Sequence, residues 1–307
     1  MKRLDCSLFH SLAQRARENP RKQHIDEFHS STDGTIRRLL HALEPDGYIR
    51  PFASHGTDKM LLCVQGKFLV ATFTPDNTID DISILGSDLH CRGAEIPSGT
   101  FHSVLALEPS SILYESHYGK PQRFTEAPWA PEHSDREGAK AFLQRIILAN
   151  SREQVLSHLL NHGMMERYYD HKTPTRTAEE AAAALNVNVS QIAKSIVLSD
   201  DTAQCIIVVL PGDRRIDMGK VRQHFGHRFT MASPERTLAA TGFLAGSVSP
   251  FALLGALPIY ADISLKSHPE IFPAAGGINN GFRTSFHELT TLLGLRKCDF
   301  ARDTQGA

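Results

Sequence analysis

A lysine and a glycine loop carry the chemistry this chain is best equipped to do. The lysine is Lys194, in Gln191-Ile-Ala-Lys-Ser-Ile-Val-Leu198, where a helix end runs into an apolar, β-branched strand. A cation at such a junction can sit at a pocket rim, where its field is weakly screened and anions are attracted. The competing reading is a solvated lysine that the helix dipole favours anyway. The loop is Thr241-Gly-Phe-Leu-Ala-Gly-Ser-Val-Ser-Pro250, with Gly-x-x-x-Pro from Gly246 to Pro250. Glycine lets a backbone approach a ligand without a Cβ in the way, and proline fixes the turn that follows. Main-chain N–H groups in such a loop, around Ser247, Val248 and Ser249, suit a carbonyl oxygen that becomes an oxyanion.

Three further features surround this pair. Val208-Val-Leu-Pro-Gly-Asp-Arg-Arg-Ile-Asp217 is an apolar strand, a Pro-Gly turn and then a basic helix capped by Asp217. Leu257-Pro-Ile-Tyr-Ala-Asp262 reads as a strand that delivers Asp262, a pocket acid in preference to a turn-former. Ser195, beside the lysine, is either a hydrogen-bond partner for substrate or a backbone cap. No Ser-His-Asp or Cys-His pair accompanies them, so no protein nucleophile is apparent.

The order His171, AEEAAAALNV, QIAKSIVL, VVLPGDRRID, TGFLAGSVSP, Asp262 and AAGG resembles the YbaK/prolyl-tRNA editing-domain family, from about Gly163 to Asp303. The resemblance implies an α/β mixed sheet with surrounding helices that deacylates mischarged aminoacyl-tRNA of the Cys-tRNA(Pro) or Ala-tRNA(Pro) type. It assigns Lys194, Gly246 and Pro250 to catalysis. Tyr169, His171, Ser195, Ser247, Val248, Ser249 and Asp262 then line the substrate site. Ser247 departs from the second glycine that close relatives carry. The implied partners are the 3′ acceptor end of tRNA and prolyl-tRNA synthetase, with no cofactor and no metal.

Positioning these residues takes a packed domain, and the composition supplies two. At 307 residues, a prior of roughly 100–200 residues per domain suggests residues 1–135 and 151–307, joined by a helical linker over 136–150. The apolar share of 41% and net charge of −1 suit a globular chain and argue against a non-specific nucleic-acid coat. Five scattered cysteines without a Cys-x-x-Cys fit a reducing cytoplasm. No apolar run is long enough to span a membrane, and no secretory signal opens the chain.

The first half predicts a helix over residues 7–19, stopped by Pro20, and then short β-type runs split by turns. HSSTDGTIRRLLHALEPDGYIRP, Asp58-Lys59, Pro97-Ser-Gly-Thr-Phe-His102 and a terminal Trp129-Ala-Pro131 resemble WbuC-type cupin metalloproteins, which implies an all-β cupin barrel. His102 matches one metal ligand of that family. The other ligand positions read Phe52 and Ser54, and the expected glutamate is replaced within Met60-Leu61-Leu62. His55 could reach the site only through a register shift that flips its face. Since a first-row metal wants three or four ligands, this half is expected to fold without metal. It would serve as an interaction or substrate-handling module, with a homodimer through the cupin as one form. Two other readings stay open: a non-catalytic aminoacyl-tRNA or synthetase binder, and a metal-dependent cupin enzyme.

Overall fold

The short apolar runs of the first half become strands because β-branched and aromatic residues alternate with polar ones there. The computed structural model describes residues 3–28, 36–119, 123–175, 177–291 and 293–303. The HSSTDGT stretch (29–35) that heads the N-terminal resemblance lies outside the described residues. The chain divides into two compact units, Met1–Ile146 and Ile147–Ala307.

The first unit opens with α1 (Cys6–Glu18), whose first turn is capped by the Asp5 carboxylate, accepting from the Leu8 N–H at 3.0 Å. The helix buries Leu12 and Ala16 against Leu40, Ala42 and Ile112. Ten strands follow: β1 (Gln23–Glu27), β2 (Ile36–Leu43), β3 (Phe52–His55), β4 (Lys59–Gln65), β5 (Lys67–Phe73), β6 (Ile79–Gly86), β7 (Gly93–Ile96), β8 (Phe101–Ala106), β9 (Ser111–Tyr118) and β10 (Arg123–Glu126). They form two antiparallel five-stranded sheets, ordered β1-β2-β9-β4-β7 and β10-β3-β8-β5-β6. Side chains from both sheets, among them Leu43, Leu61, Phe68, Val70, Val104 and Leu113, meet in one core. The expected barrel is corrected here: among the described residues no strand pairing joins the two sheets into a closed ring. Packed side chains, rather than a continuous ladder, hold the sheets together.

Strand β4 breaks its own pattern. Lys59, Leu61 and Cys63 face inward while Met60 and Leu62 face out, so period-2 alternation carries a lysine into the core. Helix α2 (Arg136–Asn161) ends the first unit with residues 136–146, where Phe142 packs on Trp129 and Phe73. Its later residues, Val155 and Leu159 among them, are buried in the second unit.

The second unit contains β11 (Tyr168–Asp170), α3 (Ala178–Leu185), β12 (Ile192–Asp200), β13 (Cys205–Pro211), β14 (Arg214–Ile216), α4 (Met218–Phe225), β15 (Phe229–Met231) and α5 (Pro234–Thr241). It continues through β16 (Ile259–Asp262), β17 (Phe272–Pro273), β18 (Asn280–Phe282), α6 (Phe286–Thr291), β19 (Arg296–Cys298) and β20 (Ala301–Asp303). The main sheet runs β15-β12-β13-β16-β19, with β17 also pairing β12. It is mixed, since β12 is antiparallel to β13 and β15 while β13/β16 and β16/β19 are parallel. Strand β13 is buried along its whole length. Ile207 and Val209 enter a core with Val248 and Phe251, whereas Ile206, Val208 and Leu210 enter another with Val221 and Phe300. A sheet covered on both faces reads as continuous apolar sequence, which is what Cys205–Pro211 shows.

Candidate functional site

Lys194 is the third residue of β12, which follows a short 3-10 turn (Val189–Gln191) rather than an α-helix. Its Nζ donates to the Gly212 carbonyl at 2.9 Å. That carbonyl comes close because Gly212 has no side chain: a Cβ there would lie 2.5 Å from the Val189 carbonyl oxygen and 2.8 Å from Ala178 Cβ. The Gly212 N–H closes the turn onto the Ile192 carbonyl at 2.7 Å. Gly212 was legible only as a turn former, yet it sets the lysine. Burial pushes the Lys194 pKa down, while Glu179 and Asp213 pull it back up and Arg215 pushes it further down. The ammonium has three protons, and among the described residues only one is engaged.

Ser195 faces the other way. Adjacent strand residues point to opposite faces, so Lys194 shares the side of Ile196 and Leu198, and Ser195 that of Ala193 and Val197. The Ser195 Oγ is buried with no hydrogen-bond partner among the described residues. Its face is also the one that packs against Val248 and Phe251.

The glycine loop begins where α5 ends at Gly242 in the left-handed region, φ 77°. Gly246 is exposed, with φ 92°, and an added Cβ there would meet nothing within 4 Å. The glycine is therefore required for its backbone angle, not for close approach, which corrects the role expected of it. Ser247 is corrected too. It is fully buried, and both its N–H (3.0 Å) and its Oγ (2.9 Å) donate to the Leu244 carbonyl. It closes a turn and leaves no donor for substrate. Its φ is not in the left-handed region, so a serine here causes no strain. Val248 and Pro250 are buried. The N–H groups of Val248 and Ser249 have no partner among the described residues, and neither does the buried Ser249 Oγ. Val248 and Ser249 are thus the loop residues with donors to offer.

Tyr169 and His171 stand beside the start of β12. The Tyr169 ring meets His171 at 5.1 Å and Phe272 at 6.3 Å, and Phe272 pairs with Ile192. Burial holds the Tyr169 hydroxyl well above the ordinary tyrosine range. Burial also lowers the His171 pKa, against the pull of Asp170. On the opposite face of β11, Arg152 donates to the Tyr168 hydroxyl (2.8 Å) and to Asp170 (2.9 Å), an exposed cluster that no sequence signal marked.

Asp262 is a structural residue, against the pocket role expected of it. It is fully buried, its Oδ1 accepts from the Ser264 N–H and hydroxyl, and its Oδ2 accepts from the N–H groups of Phe300 (2.6 Å) and Ala301 (2.8 Å). Every strong acceptor position is filled, so nothing remains for a ligand. Asp262→Asn, which must turn an NH2 toward backbone donors, is expected to destabilise the unit by ~2 kcal/mol in urea titrations. A variant that keeps wild-type stability would return Asp262 to the candidate site.

The metal implied for the first unit does not fit its residues. Phe52, where the resemblance expects a ligand, has its ring tilted against His102 with centroids 4.6 Å apart. The Lys59 ammonium lies 4.5 Å over that phenyl ring and 3.1 Å from Glu115 Oε1. A cation is thus already built into the place where a metal would need ligands. His55 is turned away, with Nε2 3.1 Å from the Thr125 hydroxyl. Among the described residues no group of three or more His, Cys, Asp or Glu could hold a metal ion.

Comparison with known proteins locates the family. Residues 172–292 match the aminoacyl-tRNA editing domain, and residues 4–85 match a domain of unknown function (DUF6016). The chain is 35% identical over 140 residues to uncharacterized protein YwhH of Bacillus subtilis (strain 168), covering 46% of this chain and 89% of that protein. It is 30% identical over 122 residues to the proline–tRNA ligase of Shouchella clausii (strain KSM-K16), covering 39% of this chain but only 20% of the ligase. A solved structure, of hypothetical protein APE2540, is 28% identical and covers 48% of this chain and 99% of that one, with a TM-score of 0.46. The matched segment holds Lys194, the Gly212 turn and the 246–250 loop together, and the C-terminal unit of this chain belongs to the aminoacyl-tRNA editing domain family.

Proposed function

We propose that the C-terminal unit hydrolyses the ester of a mischarged aminoacyl-tRNA, with Cys-tRNA(Pro) or Ala-tRNA(Pro) as substrate. The observation that carries this reading is Lys194, a half-buried lysine inside the matched segment whose ammonium spends one proton on Gly212 and keeps two to offer. In the reaction, water attacks the ester carbonyl carbon and negative charge develops on the carbonyl oxygen. The C–O bond to the terminal ribose then breaks, and the proton lost by water ends on the ribose oxygen. The unpaired N–H groups of Val248 and Ser249 suit the oxyanion, and such a donor contributes ~3–4 kcal/mol to a transition state.

The strand pleat divides the labour. Lys194 lies on the face of β12 opposite Ser195 and the side that packs on Val248. The lysine would therefore hold a 3′-terminal phosphate, with the scissile carbonyl at the loop, and one substrate reaches both around the start of β12. Tyr169 and His171 stand at that end as an aromatic wall for the terminal base. Such a substrate places the reaction in the cytoplasm, with prolyl-tRNA synthetase as a natural partner.

A deacylation panel tests the reading. The full chain should hydrolyse Cys-tRNA(Pro) or Ala-tRNA(Pro) at least ~10-fold faster than Pro-tRNA(Pro), the scale of discrimination a pocket achieves on small side-chain differences. Tight binding of a mischarged tRNA without hydrolysis would replace this reading with the non-catalytic binder.

A further inference from the structure

The first unit holds a partly open cavity of about 390 Å³, within the range of small-molecule sites. Its walls are largely apolar, with Leu39, Leu43, Leu61, Phe68, Val104 and Leu113 contributed by both sheets. Its polar lining includes Lys59, Arg50, Glu115, Glu126, His41 and His102. We propose that this cavity is a metal-free binding site for a small organic carboxylate with an apolar body, held by the Lys59 ammonium where a metal would otherwise supply the positive charge.

The unused donors of Lys59 point to an anion. Lys59 is 4% exposed, and its one oxygen neighbour among the described residues is Glu115 Oε1, at 3.1 Å. The rest of its surroundings is aromatic: the Phe52 ring at 4.5 Å and Phe124 at 5.8 Å. An ammonium has three N–H donors, so two are left for a ligand. Glu115 is the counter-charge of this cluster, with Lys59 at 3.1 Å, His41 Nε2 at 3.2 Å and His117 Nε2 farther off at 3.8 Å. Arg50 also lines the cavity, but its charge is already met. Its Nη1 is bonded to Glu126 and Glu132, whose carboxylates are largely exposed, and its Nε is buried with no hydrogen-bond partner among the described residues. Two cations and two carboxylates line the cavity, and with Arg50 matched by Glu126 and Glu132, Lys59 is the lining cation with donors to spare. His102 adds no positive charge near neutral pH: burial and the Lys59 ammonium push its pKa down to about 4, and with the Nδ1 proton facing the Thr100 carbonyl at 3.1 Å its Nε2 is an acceptor. A carboxylate on Lys59 completes the ammonium's hydrogen bonds, and its apolar body covers Phe68, Val104 and Leu113.

The experiment titrates the full chain by calorimetry with acetate, phenylacetate and 4-methylpentanoate, with 4-methylpentanamide, and with 3-methylbutylamine. The two larger carboxylates should bind saturably, with or without EDTA, and the amide at least ~30-fold more weakly because it lacks the charge. The double variant Lys59→Met/Glu115→Gln removes the ion pair without leaving either charge buried alone, so it should keep the wild-type melting temperature and lose binding by the same factor. The amide comparison stands even where the double variant fails to fold. Any of four results overturns the proposal: no carboxylate binding up to ~10 mM, equal binding of acid and amide, preference for the amine, or binding abolished by EDTA.

Discussion

Lys194→Ala is expected to lower kcat/KM for a mischarged tRNA ~100-fold, about 2.7 kcal/mol of transition-state stabilisation, with the melting temperature unchanged. The split should be uneven. A lysine that grips a phosphate on the opposite face of β12 from the loop binds ground state and transition state alike, so most of the loss falls on KM. The wild-type protein should also lose tRNA affinity steeply with salt, and the variant should show a shallower slope, by about one phosphate contact. The fold is expected to survive because Lys194 contributes one bond, to a carbonyl that its own turn already positions. Gly246→Ala makes the contrast. No atom stands near its added methyl, so its cost is the strain of φ 92°, about 1 kcal/mol, and its effect on rate comes through loop geometry. A Lys194→Ala enzyme with full kcat/KM and an intact fold would remove the lysine from the mechanism.

Acidification from pH 7.5 to 4 is expected to cost the first unit ~3 kcal/mol through His102. Burial, then the nearby Lys59 ammonium, push the His102 pKa down from 6.5 to about 4, against the Thr100 carbonyl and Glu115. The folded value lies below the unfolded one, so between them the unfolded chain binds the extra proton. Stability is therefore full above about pH 6.5 and falls as pH drops toward 4. Glu115 adds a second loss at lower pH. Burial pulls it up, but His41 and Lys59 hold it at about 2, so its stabilisation is present above 4.5 and disappears as pH falls toward 2. Urea denaturation at stepped pH checks both. His102→Asn should flatten the curve between pH 6.5 and 4, and an unchanged slope in that variant would mean another group is responsible.

Some of this protein was written locally. The apolar run Cys205–Pro211 and its Pro-Gly turn, the Asp217 cap of α4 and helix α1 before Pro20 each follow from the chemistry of a few neighbouring residues. The opposition of Lys194 and Ser195 is also local, because a pleat turns adjacent side chains apart. Other features depend on partners far along the chain, which no local pattern names. Asp262 ends a strand as a pocket acid would, yet it is consumed by backbone donors 38 and 39 residues later. Ser247 sits where a donor was expected, but its turn folds both donors back onto Leu244. Lys59 reads in sequence as an ordinary charge beside Asp58. Only the pairing of β4 with β9 sets it inside a cavity against Glu115, because alternation fixes which face a residue takes and tertiary packing decides what that face meets.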